Sequence, residues 1–168
     1  VLNSDTDGIQ QISDALGGRD DLDAVHIISH GNDGNVQLGN VSLDASTLSQ
    51  NSDAIASWSS AFSEQGDILI YGCNLAETEF GQNLINQLSE LTLTDVGASK
   101  DITGHASLGG DWDLEYHSGT LEASVAVSEH GQQAWEQTLA TNTGPSLDLS
   151  TSFTEHIIDN SADDAQSV

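Results

Sequence analysis

Two side chains in this sequence could together perform nucleophilic chemistry, His30 and Cys73. Cys73 is the only cysteine, so no internal disulfide can form. A solitary cysteine is a reactive thiol, half of an intermolecular bridge, or a small buried residue. An imidazole beside a thiol takes its proton or lowers its pKa, and the thiolate then attacks a carbonyl carbon. His30 is followed by Gly31, which gives a substrate carbonyl room to reach backbone N–H groups. Cys73 is preceded by Gly72. The amides of Gly31 and Cys73 are the expected oxyanion hole. Each signal alone is weak, because Ser-His-Gly is a common tripeptide and lone cysteines usually fill cores. The two together, at the ends of two similar apolar runs, point to catalysis.

Those runs must be the elements that position the pair. Ala24 to Ser29 is short, apolar and β-branched, which favours a buried strand ending at His30. Asp67 to Tyr71 reads the same way and ends at Gly72-Cys73. Asp95 to Ser99 is a third, shorter strand. Between them, Ile9, Ile12 and Leu16 recur at helical spacing, as do Phe80, Leu84, Ile85, Leu88 and Leu91. Helices are expected over 44–63, 77–92 and 128–139, the last with Ala134, Trp135 and Leu139 inward. Val36, Leu38, Val41 and Leu43 alternate around Gly39-Asn40 as a small hairpin. Gly109 to Tyr116 reads as a strand with Trp112, Leu114 and Tyr116 alternating. Strands interleaved with helices predict an α/β fold, a three-layer α/β/α sandwich on a mainly parallel sheet. Active sites of such sheets gather at the carboxyl ends of strands, where His30 and Cys73 fall.

Residues 1–139 form one domain on this reading. From 140 to 168 the chain turns rich in Ser, Thr, Asn and Asp and holds the only proline, Pro145. That stretch is expected to be a linker over 140–145, followed by a disordered tail or the start of a β-sandwich domain.

Charge excludes several functions. The chain carries 27 Asp and Glu against 2 Lys and Arg, a net charge of −25. Nucleic-acid binding needs cations to displace counterions, and Arg19 and Lys100 are the only strong ones. They could not neutralise an inositol polyphosphate either. No apolar run is long enough for membrane insertion. Such acidity suits a salty or calcium-rich exterior. The sequence demands no cofactor, and calcium is the ion its acidic groups could accept. No metal ligands are assigned. His105, His117, His130 and His156 lack metal spacing, and Asp5-Thr6-Asp7-Gly8 opens like a calcium loop without the closing Glu. His26, inside the first strand, reads as a packed core histidine. Asp111, Asp113 and Glu115 read as a solvated face. Trp112 alone would suggest a carbohydrate-binding module.

The strand-His-Gly and strand-Cys pattern resembles the caspase, gingipain and clostripain group of cysteine peptidases, in which the His precedes the Cys. The Gln-Ala-Cys signature of true caspases is replaced by Tyr71-Gly72-Cys73-Asn74. More closely, the chain resembles the domain of unknown function 4347 of very large bacterial surface proteins and adhesins. The stretches that carry this are His26 to Gly31, Ile68 to Asn74, Asp101 to Gly104 and Leu108 to Glu115. The family usually opens with a further strand and helix ahead of the position of Val1, so the sheet is expected to lack that edge or to have lost it by cleavage. The resemblance implies an extracellular or cell-surface location. It implies a caspase-like endopeptidase with a His30–Cys73 dyad, acting on its own polypeptide or on another surface protein. Loops beside the Cys strand would wall the substrate pocket, and Asp101 and Asp111 would there favour a basic residue before the cut. The alternative is a catalytically inactive module that helps display an adhesin.

Overall fold

A computed structural model describes residues 1–140 and the backbone of His156–Asp159. The chain opens with helix α1 (Gly8–Leu16), which begins where the Asp7 carboxylate accepts from the Ile9 and Gln10 amides. Such a cap satisfies two amides that have no partner within the helix. Ile9, Ile12 and Leu16 then fall on one buried face. Strand β1 (Leu22–Ile28) follows, and a three-stranded meander, β2 (Gly31–Asn32), β3 (Asn35–Leu38) and β4 (Val41–Leu43), leaves its carboxyl end. After two short helices, α2 (Ala45–Gln50) and α3 (Ser52–Ala56), comes the central strand β5 (Phe62–Tyr71). Helix α4 (Glu79–Thr92), capped by Thr78, leads to β6 (Asp95–Ala98). The edge strand β7 (Tyr116–His117), helix α5 (Glu129–Ala134) and strand β8 (His156–Asp159) complete the order.

The main sheet runs β7-β6-β5-β1-β8. β1, β5 and β6 are parallel, and β7 and β8 add antiparallel edges. The expected α/β architecture with a mainly parallel sheet is what the chain adopts. Residues 66–71 of β5 are buried without a break, as a central strand covered on both faces must be. One face, with Val25, Ile27, Ile68, Ile70 and Val96, packs on α1, α3, α4 and Trp58. Trp58 is locked by its Nε1–H, which donates to Ser13 Oγ at 2.8 Å. The other face, with Ala24, Ile28, Leu69, Tyr71 and Cys73, packs on Trp112 and Leu139. Its cover comes from residues 102–139, largely irregular apart from α5.

Four expectations are corrected. The helix over 44–63 is broken into α2, α3 and a 3₁₀ turn at Ser57–Ala61. Asn51 interrupts it by turning its side chain back onto the Thr47 carbonyl, 2.9 Å away. Residues 109–116 form no continuous strand, because Asp113 N–H bonds the Asp111 carboxylate and turns the chain there. Trp112 is 3% exposed and edge-on to Trp135, with no face for a sugar. The last helix stops at Ala134, and Trp135 is already extended. Of the expected linker over 140–145, Ala140 is described and bridges Gly31, whereas residues 141–145 and most of the tail lie outside the described residues. Val1 to Asp7 precede α1 without adding a strand to the main sheet.

Candidate functional site

The last register pair of β1 and β5 is Ile28 with Tyr71. His30 and Cys73 lie two residues beyond it on neighbouring parallel strands, at the same edge of the sheet. The two backbones nearly touch there: a Cβ on Gly31 would sit 3.1 Å from the Gly72 carbonyl carbon and 3.3 Å from the Cys73 oxygen. A side chain at Gly31 would make the facing backbone give by a few tenths of an ångström. His26, on the same face, is buried and stacked on Tyr71, and burial lowers its pKa. It is the core histidine its position suggested.

Cys73 is 1% exposed. Its sulfur accepts from Thr103 N–H at 3.3 Å and lies 3.4 Å from the Thr103 carbonyl oxygen. Burial pushes the thiol pKa up, against the amides of Thr103, Leu139 and Cys73 itself, which favour the thiolate. The Asp101 charge also raises it. At neutral pH this thiol is protonated. Deprotonation therefore needs a base or a change in its cover.

The cover is the chain's own backbone. Residues 138–140 cross the strand ends, bridged at Thr138 and Ala140, after a bend at Gln137. Leu139 N–H donates to the Thr103 carbonyl at 2.9 Å, and His105 N–H donates to the Gln137 carbonyl at 3.0 Å. Gly104 and Thr138 form an antiparallel bridge between these two bonds. On the other side, Gly31 N–H donates to the Leu139 carbonyl at 3.2 Å, and Gly31 bridges Ala140 in parallel. His30 Nδ1 stands 3.2 Å from that same carbonyl oxygen. The Leu139 peptide thus touches the imidazole, one expected oxyanion donor and the thiol's surroundings at once. The Leu139 side chain, 1% exposed, is buried in the cluster of Tyr71, Cys73 and Trp112.

The close approach needs Gly104. Its φ is +141°, and a Cβ would fall 2.7 Å from Thr138 Cα and closer still to the Gln137 oxygen. Sequence reading placed Leu139 inward but on a helix, and missed Thr103, Gly104 and the crossing strand. The Gly104 and Gly109-Gly110 glycines were the available signal.

Asp101 and Asp111 are brought together with Glu115, their carboxylate oxygens within 4.8 Å of one another and all three residues exposed. Partial desolvation, followed by the neighbouring carboxylates, raises the pKa of Asp101. The Asp101 carbonyl holds Asn74 N–H at 2.6 Å, which ties the trio to the loop after Cys73. A second carboxylate group joins Asp67, Asp95 and Glu122 at the opposite end of β5 and β6. Sequence reading did not single it out. No curated protein and no solved structure matches the chain. A family model does match, over residues 1–139, and the chain accordingly belongs to the family described as a domain of unknown function, DUF4347.

Proposed function

We propose that this chain is a cysteine endopeptidase domain of caspase-like type that cuts its own polypeptide. Its setting is a large bacterial surface protein or adhesin outside the cell. His30 is the base, Cys73 the nucleophile, and the Gly31 and Cys73 amides form the oxyanion hole. The observation that carries the reading is the Leu139 carbonyl, seated on Gly31 N–H and facing His30 beside the thiol. A peptidase holds its substrate as an added strand, and a strand is held there. The chemistry needs only what surrounds the site. His30 takes the Cys73 proton, and the thiolate adds to a carbonyl carbon. The oxyanion rests on the backbone N–H groups. His30 then protonates the departing amine, and water hydrolyses the thioester.

The substrate is the chain itself or a neighbouring surface protein. With two strong cations in 168 residues, nucleic acid is not a partner. No helix among the described residues is long and apolar enough to cross a membrane. The acidity fits an extracellular location, with calcium as an available ion.

One observation favours a second reading, an inactive display module. The thiol is buried and its pKa is raised rather than lowered. Incubation of the 168-residue chain under reducing conditions, with and without calcium, separates the two. Thiol-dependent fragments by intact-mass spectrometry, suppressed by N-ethylmaleimide, are the expected result. A chain that stays whole overturns the peptidase.

A further inference from the structure

We infer that the bond this site cuts is Leu139–Ala140, with Gln137, Thr138 and Leu139 as the bound substrate residues and an aliphatic side chain as the specificity determinant. This rests on the peptidase reading above. Three backbone features fix the register. Leu139 N–H and the Gln137 carbonyl pair with Thr103 and His105, as alternate residues of an antiparallel strand must. A slip of one residue would break both bonds and turn Thr138 into the apolar cluster. The Leu139 carbonyl oxygen, not that of Thr138 or Ala140, meets Gly31 N–H and His30 Nδ1. The Ala140 nitrogen is bonded to the same carbonyl carbon, so the proton His30 takes from Cys73 has a leaving group beside it. Cys73 Sγ adds to the Leu139 carbon, the C–N bond breaks, and Ala140 leaves as a free amine. Water then yields the Leu139 carboxylate and restores the thiol.

The expected acidic pocket for a basic residue gives way to a different specificity. The seated side chain is leucine, closed in by Tyr71, Cys73 and Trp112. Asp101 and Asp111 stay exposed outside that cluster. A Lys or Arg in the cluster would have to lose its hydration without a partner there. A segment tethered to its own site has a high effective concentration. The cut is therefore unimolecular, and the new carboxyl end stays docked and blocks a second substrate.

The test maps the termini formed by the 168-residue chain. Fragments ending at Leu139 and beginning at Ala140 are expected, at a rate independent of protein concentration. Leu139→Met should keep the rate within about tenfold, whereas Leu139→Asp should lower it at least a hundredfold, since one missing apolar contact plus a buried charge exceeds the discrimination of a methylene alone. If Leu139→Asp fails to fold, the mapped termini and Leu139→Met decide. Cleavage at any other bond overturns this inference and leaves the peptidase standing. No cleavage at all overturns both.

A different observation carries a second inference. We propose that Asp67, Asp95 and Glu122 bind one calcium ion at the end of the sheet opposite the thiol. Asp67 and Asp95 are register partners on β5 and β6, so their side chains leave the same face. The Asp67 Oδ2 accepts from Glu122 and Ala123 N–H, both at 2.8 Å, which brings the Glu122 carboxylate back to the same place. Asp67 is fully buried, and its Oδ1 is buried with no hydrogen-bond partner. Burial, and then the neighbouring Glu122 and Asp95 charges, raise its pKa against the Ala123 and Glu122 amides. A buried carboxylate oxygen without a hydrogen-bond partner, in a group of three carboxylates, is one that a bound cation would satisfy. The three groups offer oxygens within 4.8 Å of one another. That is close enough for one ion to bridge all three, and an irregular all-oxygen set of carboxylates suits calcium, whereas magnesium demands near-ideal octahedral geometry and gives up its waters reluctantly. The cleft beside them, about 290 Å³ and lined by Gly66, Thr94 and Thr120, leaves room for water ligands. The Asp101 trio has no such buried oxygen and is not proposed as a site.

Thermal unfolding of the 168-residue chain tests this at matched ionic strength. Calcium at about a hundredfold over its dissociation constant should raise Tm by roughly 5–10 °C. Asp67→Asn keeps an oxygen for the Glu122 and Ala123 amides and should abolish the shift, while Asp111→Asn should retain it. If Asp67→Asn does not fold, Asp95→Asn replaces it. No calcium shift, an equal shift with magnesium, or an undiminished shift in these two variants overturns the site.

Discussion

Replacing Cys73 by serine is expected to stop fragment formation, a loss of at least about a thousandfold in first-order rate. Serine is the informative choice. Alanine would leave the buried Thr103 N–H, which now donates to Cys73 Sγ at 3.3 Å, without an acceptor. That alone would cost about 1–3 kcal/mol and confuse chemistry with folding. A hydroxyl accepts the same bond yet ionises far less readily than a thiol. His30→Ala should lose activity to a similar degree, and the double variant should be no worse than either single one, because the two groups act as a unit. The pH dependence follows from the raised thiol pKa. The thiolate is the reactive form, so alkylation of Cys73 should speed up about tenfold per pH unit between 7 and 8, still below that pKa. Cys73→Ser that cleaves as fast as the parent would remove Cys73 from the mechanism, whatever else is cut.

How much of this was legible in sequence depended on the range of the signal. The two strands that carry His30 and Cys73 are continuous apolar runs bounded by glycine and polar residues, and both were placed with their reactive ends at one edge. The bounds moved by a few residues only, to Leu22–Ile28 and Phe62–Tyr71. The crossing strand was not legible, because nothing local distinguishes residues 137–139 from the end of a helix. Its bonds go to Thr103 and His105, more than thirty residues away, and to Gly31 across the sheet. The apolar spacing of Ala134, Trp135 and Leu139 read as helical, yet Leu139 is buried through an extended backbone. Asp67 illustrates the opposite failure. A carboxylate at a strand start is ordinarily solvated, so its full burial could only be seen once Asp95 and Glu122 were in place around it. Trp112 was misread for the same reason: its partners, Tyr71 and Trp135, are remote in sequence.

In the Gly104→Ala chain, the crossing strand should leave its cleft. The φ of +141° strains any residue with a Cβ, at about 1–3 kcal/mol. The added methyl would also meet the backbone of Gln137 and Thr138 rather than a side chain that could swing aside. The cheapest relief is to release residues 137–139, which are held by few backbone bonds and one buried side chain. Release uncovers the sulfur and takes the Leu139 carbonyl away from Gly31 and His30. Two readouts then move in opposite directions. Alkylation of Cys73 should rise at least tenfold as its cover departs, and self-cleavage should fall at least tenfold as its substrate departs. The helical face of the sheet, built on Trp58, α1 and α4, is a separate cluster from that of Leu139 and Trp112 and should unfold cooperatively as before. A general loss of structure would raise labelling too, so far-UV circular dichroism of the variant must match the parent. A folded Gly104→Ala chain with unchanged labelling and unchanged cleavage would mean that the strand neither guards the thiol nor feeds it.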